Sequence, residues 1–221
     1  MTVATSAPRG LCKSGKVSLR SPRYLMADCL RAMSDVIDSE GFRANVGIIL
    51  MRGAGEVFLG RQVGGRGWQF PQGGVRTGET IEAAAFRELH EEIGISVADV
   101  RLIGQTRDWL RYRLPSRYVR RNRLPRCIGQ KQRWFLLQLV RHDSGFDFAR
   151  TADPEFDHYR WANYWEPARE VIFFKRAVYV QALSELAPLA FGGAPPPYPA
   201  WWGDFVANEL DPTRSAAASI D

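Results

Sequence analysis

Glu88, Glu91 and Glu92 are spaced i, i+3 and i+4, so on a helix the three carboxylates share one face. Glu79 opens the same stretch and is read as a fourth carboxylate on that helix. Like charges at this spacing repel by a few tenths of a kcal/mol, roughly, per pair, so an offsetting cation is expected. With no Cys or His at ligand spacing on that face, the oxygen-only donor set favours a hard ion, Mg2+ or alternatively Mn2+. Such ions are commonly held by a few carboxylates together with substrate phosphates, which points to a diphosphate-bearing substrate. A solvated acidic face is the bland alternative, and the flanking residues decide against it.

Those residues are Gly73, then Glu79 after five intervening positions. After seven more come Arg87-Glu88-Leu89, Glu91-Glu92 and Gly94-Ile95. The pattern resembles the signature box of the Nudix hydrolases at all nine of its fixed positions. The resemblance implies a loop-helix-loop in which Glu88, Glu91 and Glu92 bind Mg2+, with Gly73 contributing to the metal site. It also implies that Glu79 and Arg87 form a supporting ion pair that holds the loop on the helix.

Further segments narrow the likeness. They are Gly41 to Ile48, Trp68 to Gly74, Trp109 to Pro115, Cys127 to Gln132, Pro154-Glu155-Phe156-Asp157 and Phe174-Lys175-Arg176. From about Ser34 to about Leu189 the chain resembles the RNA pyrophosphohydrolase branch of that family, close to the dinucleoside polyphosphate hydrolases. The resemblance implies Mg2+-dependent conversion of 5'-triphosphate RNA to 5'-monophosphate RNA, and hence RNA decay, with RNA 5' ends as partner. Glu155 would join the helix glutamates, and the general base stays open among Glu88, Glu92 and Glu155. Phe174 would stack the first base and Lys175 meet the 5' phosphates, with Arg43 and Gln130 in the same pocket. One departure concerns Arg61-Gln62, where several relatives carry two arginines. A neutral amide there is expected to weaken a phosphate contact or change base preference. Two alternatives remain: a dinucleoside polyphosphate hydrolase with the same chemistry, and a non-catalytic RNA-binding module, against which the intact glutamates argue.

The elements that must position these groups are legible in the pattern. Val46 to Met51 and Glu56 to Gly60 read as two strands around a Gly-rich turn. The helix is expected to begin at Thr77 to Thr80, with one of those threonines as cap, and to stop at Gly94. Val100 to Leu114 reads as a long or broken strand, and Trp134 to Val140 as a buried one. Phe156 to Tyr164 alternates strictly, with an aromatic face; Ala168 to Val171 is a short helical stretch, and Phe173 or Phe174 to Leu186 an amphipathic helix. The family likeness implies an α/β fold, an α/β/α sandwich around a mixed central sheet.

Composition sets the outer bounds. The chain has 221 residues, 45% of them apolar, without an apolar run long enough to span a membrane. Three cysteines without CxxC spacing argue against a disulfide framework or zinc site and for a reducing compartment, the cytoplasm. The net charge of +6 is uneven. Residues 1–32 hold six basic residues against Asp28, and residues 107–133 hold ten against Asp108. The remainder is strongly acidic, so a basic lobe faces an acidic helix, an arrangement suited to drawing a polyanion to metals. Tyr112 and Tyr118 lie in the arginine-rich stretch and offer stacking surfaces.

The domain reading is a basic, disordered extension over 1–32, a catalytic domain over 33–190 and a Pro/Gly-rich tail over 191–221. The extension has transit-peptide-like composition, and a start at Met33 is the simpler alternative. In the tail, Trp201, Trp202, Phe205, Val206 and Leu210 are expected to pack back on the core.

Overall fold

The computed structural model describes residues 36–53, 55–65, 67–119, 124–140, 145–193 and 198–211. The expectations for residues 1–32, Met33, the cluster Arg120 to Arg123 and the terminal stretch 213–221 lie outside the described residues. Everything below concerns the unit Ser34–Asp221.

The spine is a parallel pair, β1 (Phe42–Arg52) and β7 (Gly129–Leu139), in register from Phe42↔Gly129 to Met51↔Gln138. Around it lie β2 (Glu56–Gln62), β3 (Trp68–Gln69), β4 (Gln72–Gly74), β5 (Val100–Gln105), β6 (Leu110–Arg113) and β8 (Phe156–Asn163). All of these pair antiparallel, with the central order β3-β2-β1-β7-β5, so the sheet is mixed. The long strand from Val100 is broken in two, and the strand expected at Trp134 starts five residues earlier, at Gly129, in a polar run that the apolar criterion overlooks.

Alternation along β1 sends its side chains to two separate cores. Ala44, Val46, Ile48 and Leu50 pack with Ala84, Ala85, Leu89 and Ile93 of α1 (Ile81–Ile93). Ile49 and Met51 go to the opposite face, with Trp134, Leu136 and the apolar side of α3 (Arg176–Ala190), including Tyr179 and Leu183. The result is the expected sandwich, helices on both faces of the sheet. Gly47 permits it locally, since a Cβ there would come within 2.6 Å of the Trp134 ring. A short α2 (Pro167–Glu170) precedes the one-turn 3-10 helix Phe173–Lys175, which feeds α3.

Helix α4 (Trp202–Glu209) lies beyond the Pro/Gly run and returns to the core: Trp202 is buried, its ring 4.5 Å from that of Trp165. Among the described residues, no helix is long and apolar enough to cross a membrane.

Candidate active site

Helix α1 is built to hold its glutamates still. Thr80 is the N-cap, its side-chain oxygen accepting from the Ala83 N–H at 3.1 Å, and Gly94 ends the helix in the left-handed region at φ 75°. Glu79 therefore precedes the helix, which corrects the reading that placed it on α1. Ala84, Ala85, Leu89 and Ile93 anchor the helix on the sheet, leaving Glu88, Glu91 and Glu92 facing β4 and its surroundings. The close approach depends on Gly73, where any Cβ would overlap the Glu88 carboxyl group.

Arg87 occupies one side of this arrangement. Its Nε and Nη2 donate to the two oxygens of Glu79 at 2.7 and 3.0 Å, and Nη2 also reaches the Gly74 carbonyl at 2.8 Å. Nη1 turns to Glu88 at 2.6 Å and Glu91 at 3.3 Å. The fork holds the Glu79 carboxyl below the usual carboxylate range. Glu91 also receives Arg76 at 3.2 Å.

The other side is less well matched. The Gln72 N–H donates to Glu92 at 3.1 Å. Burial, then the neighbouring Glu88 and Glu155, push the Glu92 carboxyl well above its ordinary value. Burial likewise raises Glu88, against the pull of Arg87. Glu155 arrives from the loop before β8. A bulge at Arg61/Gln62 pairs Gln62 with Phe156 and breaks the strict alternation expected for this strand. Phe156 and Tyr159 thereby reach the same core, and the Val63 N–H donates to the Glu155 carbonyl at 3.0 Å. Gln62 and Gln69 then both donate side-chain amides to Glu155 Oε1, at 2.8 and 3.0 Å.

Lys175 closes the chain of contacts. Buried at the end of the 3-10 turn, its Nζ donates to Gln69 Oε1 at 3.1 Å. Burial pushes its ammonium down to about 8, while Glu155 and Glu92 pull the other way. Phe174 stands beside it, its ring 5.8 Å from Tyr112, whose hydroxyl donates to Gln130 Oε1 at 2.7 Å. Arg43, Gln130 and Tyr112 are lateral neighbours across β1, β7 and β6. Arg43 reaches over Gly74 into a gap that a Cβ there would fill.

The structure thus brings Glu88, Glu92, Glu155 and Lys175 into one electrostatically coupled group, with Arg43, Gln130 and Phe174 in an adjoining one. Glu91 sits at the edge with the arginines. Among the described residues, no three His, Cys, Asp or Glu side chains are gathered around one point. Arg87 holds oxygens of Glu88 and Glu91, and backbone and amide donors hold Glu92 and Glu155. As a donor set, the oxygens and the cradle at Gly73 fit a hard divalent cation. Sequence reasoning missed Gln69 and the contact of Gln62 with Glu155. The clue to Gln69 was a polar residue inside the apolar Trp68-Gln69-Phe70 run; Gln62 donates to Glu155, a contact that the comparison with relatives at Arg61-Gln62 does not reveal. A separate cavity of about 420 Å3 is lined by Glu166, Arg169, Glu170 and Trp201. It shares no residue with this group, and its glutamates are matched by Arg160.

A NUDIX domain model matches residues 41–183. The chain belongs to the NUDIX family. The RNA pyrophosphohydrolase of Alkalilimnicola ehrlichii is 55% identical over 164 residues, covering 74% of this chain and 91% of that protein. The RNA pyrophosphohydrolase of Yersinia enterocolitica is 50% identical over 167 residues, covering 74% and 95% respectively. Among solved structures, the E. coli dihydroneopterin triphosphate pyrophosphohydrolase is similar in fold, with a TM-score of 0.51 at 22% identity over 62% of this chain and 92% of that one.

Proposed function

We propose that the protein is a Mg2+-dependent RNA 5'-pyrophosphohydrolase of the cytoplasm, converting 5'-triphosphate RNA ends to 5'-monophosphates within the unit 33–190. The observation that carries this reading is the 55% identity to an RNA pyrophosphohydrolase over 91% of that enzyme. The coupled group of Glu88, Glu92, Glu155 and Lys175 supports it.

Glu88, Glu91, Glu92 and Glu155, with the Gly73 carbonyl, would hold the cation. When bound, the cation neutralises charge on phosphate oxygens and acidifies a bound water. Lys175 and Arg43 supply fixed positive charge for the 5' phosphates, and Phe174 offers a π-face to the first base. Glu155 is held through Oε1 by two amides. The proton of the attacking water passes to one carboxylate of the set Glu88, Glu92 and Glu155. Attack of the water oxygen on the α- or β-phosphorus breaks the α–β anhydride and releases pyrophosphate, whereas attack on the γ- and then the β-phosphorus releases two phosphates in turn; either route leaves the 5'-monophosphate.

The test follows label from RNA carrying a labelled 5'-triphosphate, with Mg2+ and with chelator, beside diadenosine tetraphosphate. Orthophosphate or pyrophosphate release that leaves 5'-monophosphate RNA, and that chelator abolishes, is the expected result. Turnover of the dinucleotide alone would overturn the RNA assignment.

A further inference from the structure

Phe174 is the centre of a cluster of rings, and the site above uses only its inner half. Tyr112 lies inside, buried and bonded to Gln130. On the outer side, Tyr118 and Phe173 lie 5.3 and 5.4 Å from the Phe174 ring. These two outer rings are 45% and 44% exposed. The Arg117 guanidinium is 5.2 Å from the Tyr118 ring and 5.8 Å from that of Phe173, so one cation spans both.

Local backbone geometry presents these side chains to solvent. Ser116–Tyr118 is a single 3-10 turn closed by the Tyr118 N–H to the Pro115 carbonyl at 2.8 Å, and Phe173 begins the turn that carries Lys175. Neither ring contributes to either core. Large aromatic surfaces left in water forgo the free energy of burial, and contiguous ones mark a binding surface.

The charge of the surface selects the occupant. Arg113, Arg117 and Arg126 are exposed on the same segment as Tyr118, while Arg111 there is paired with Glu40 at 2.8 Å. An apolar helix of a protein partner would have to bury guanidinium groups set between the rings. A nucleotide strand offers a π-face for each ring and a phosphate for each cation. The surface is also continuous, through Phe174, with the pocket assigned to the first base.

We infer that Tyr118, Phe173 and Arg117 form a second nucleobase platform, which takes a base of the RNA downstream of the one on Phe174. This rests on the RNA reading given above. Stacking accepts every base, so the platform confers a preference for chain length and little preference for sequence at that position.

The experiment measures kcat/KM on 5'-triphosphate oligoribonucleotides of one, two, three and five nucleotides, for wild type and for the double variant Tyr118→Ser, Phe173→Ser. Wild type is expected to favour the longer chains. In the variant the ratio of kcat/KM on the pentanucleotide to that on the mononucleotide falls by about tenfold, the size of one lost base–aromatic stack. A parallel reading uses the triphosphorylated pentanucleotide with 2-aminopurine at the second or third position, in chelator. Its fluorescence is quenched on binding wild type, and the quench is lost in the variant while the RNA remains bound. RNA turnover with an unchanged length ratio, or a loss equal at every length, overturns the platform and leaves the RNA assignment intact. No turnover of any RNA by wild type overturns both, so the two failures are distinct.

Discussion

The two flanks of helix α1 treat negative charge in opposite ways. On the Arg87 flank, a bidentate guanidinium meets Glu79 and also touches Glu88 and Glu91, and the Glu79 carboxyl is held below its usual range. On the Glu155 flank, Glu92 and Glu155 are neighbours whose hydrogen-bond donors are neutral amides, and Lys175 donates to Gln69, which in turn donates to Glu155. Burial there raises the Glu92 carboxyl. A charge matched within the chain serves the fold. A charge buried with neutral partners costs stability unless an arriving ligand completes it. On the proposed function, the first flank is a clamp and the second the working site.

The largest expected effect tests the working flank. Glu92→Gln keeps the volume and removes the charge, and turnover of 5'-triphosphate RNA in Mg2+ should fall on the order of 10^3-fold. In chelator at pH 7 the same variant should melt above wild type, because wild type must either bury that charge or take up a proton there on folding. Unchanged turnover in a folded protein would remove Glu92 from the working set. Glu91→Gln should also cost orders of magnitude in turnover, although Glu91 is one-third exposed and paired with arginines. Normal activity there would reassign Glu91 to the clamp.

The clamp should fail differently. Arg87→Leu leaves Glu79 and Glu88 facing each other without a cation, at a cost of about 3 kcal/mol. That is on the order of 10 °C in Tm for a domain of this size. Chemical denaturation of the metal-free protein reads it directly. A loss below about 0.5 kcal/mol would mean that the fork is an ordinary surface pair.

How much of this contrast the sequence disclosed depends on the kind of signal. The box named the Arg87 flank and Glu92, the segments around Glu155 and Lys175 supplied the rest of the other flank, and the helix ends were marked by Thr77 or Thr80 and by Gly94. The sandwich was implied by the family likeness, and β1 realises it by sending alternate side chains to two apolar sets. Gln69 escaped notice because a hydrogen bond to a residue 86 positions away leaves no periodic trace. The bulge at Arg61/Gln62 was equally silent, for the alternation of Phe156 to Tyr164 reads smoothly while the pairing slips. The polar start of β7 was lost for a related reason: Gln130 accepts from Tyr112 and Gln132 donates to Asn45 and Gln72, and a strand end whose side chains pair with polar neighbours lacks the apolar pattern.

The flanks should also titrate with opposite signs. Glu79 is depressed when folded, so its contribution is complete above the ordinary carboxylate value, about 4.3, and disappears as pH falls through the lower folded value. Glu88 and Glu92 are raised when folded. Their effect is to favour the folded state at low pH and to erode that advantage as pH rises through their folded values. Cation binding must expel those protons, so Mg2+ affinity should climb as pH rises toward the raised values and level off above them. Calorimetry in buffers of different ionisation enthalpy measures the protons released. Binding without proton release would contradict the burial argument for this flank.

The smallest expected effect sharpens the boundary of the working flank at Gln62. If its amide serves to fix Glu155, Gln62→Leu removes one of two donors on Oε1 and should lower kcat about tenfold, the usual cost of losing an orienting partner, with KM nearly unchanged. Gln62→Arg separates this role from RNA contact. A guanidinium facing RNA would tighten binding and steepen its dependence on salt, whereas one drawn to Glu155 would neutralise the carboxylate and lower kcat at every salt concentration. The bulge that sets Gln62 beside Glu155 favours the second outcome, and a salt-dependent gain in affinity with kcat preserved would return Gln62 to the RNA-facing role that its place after Arg61 first suggested.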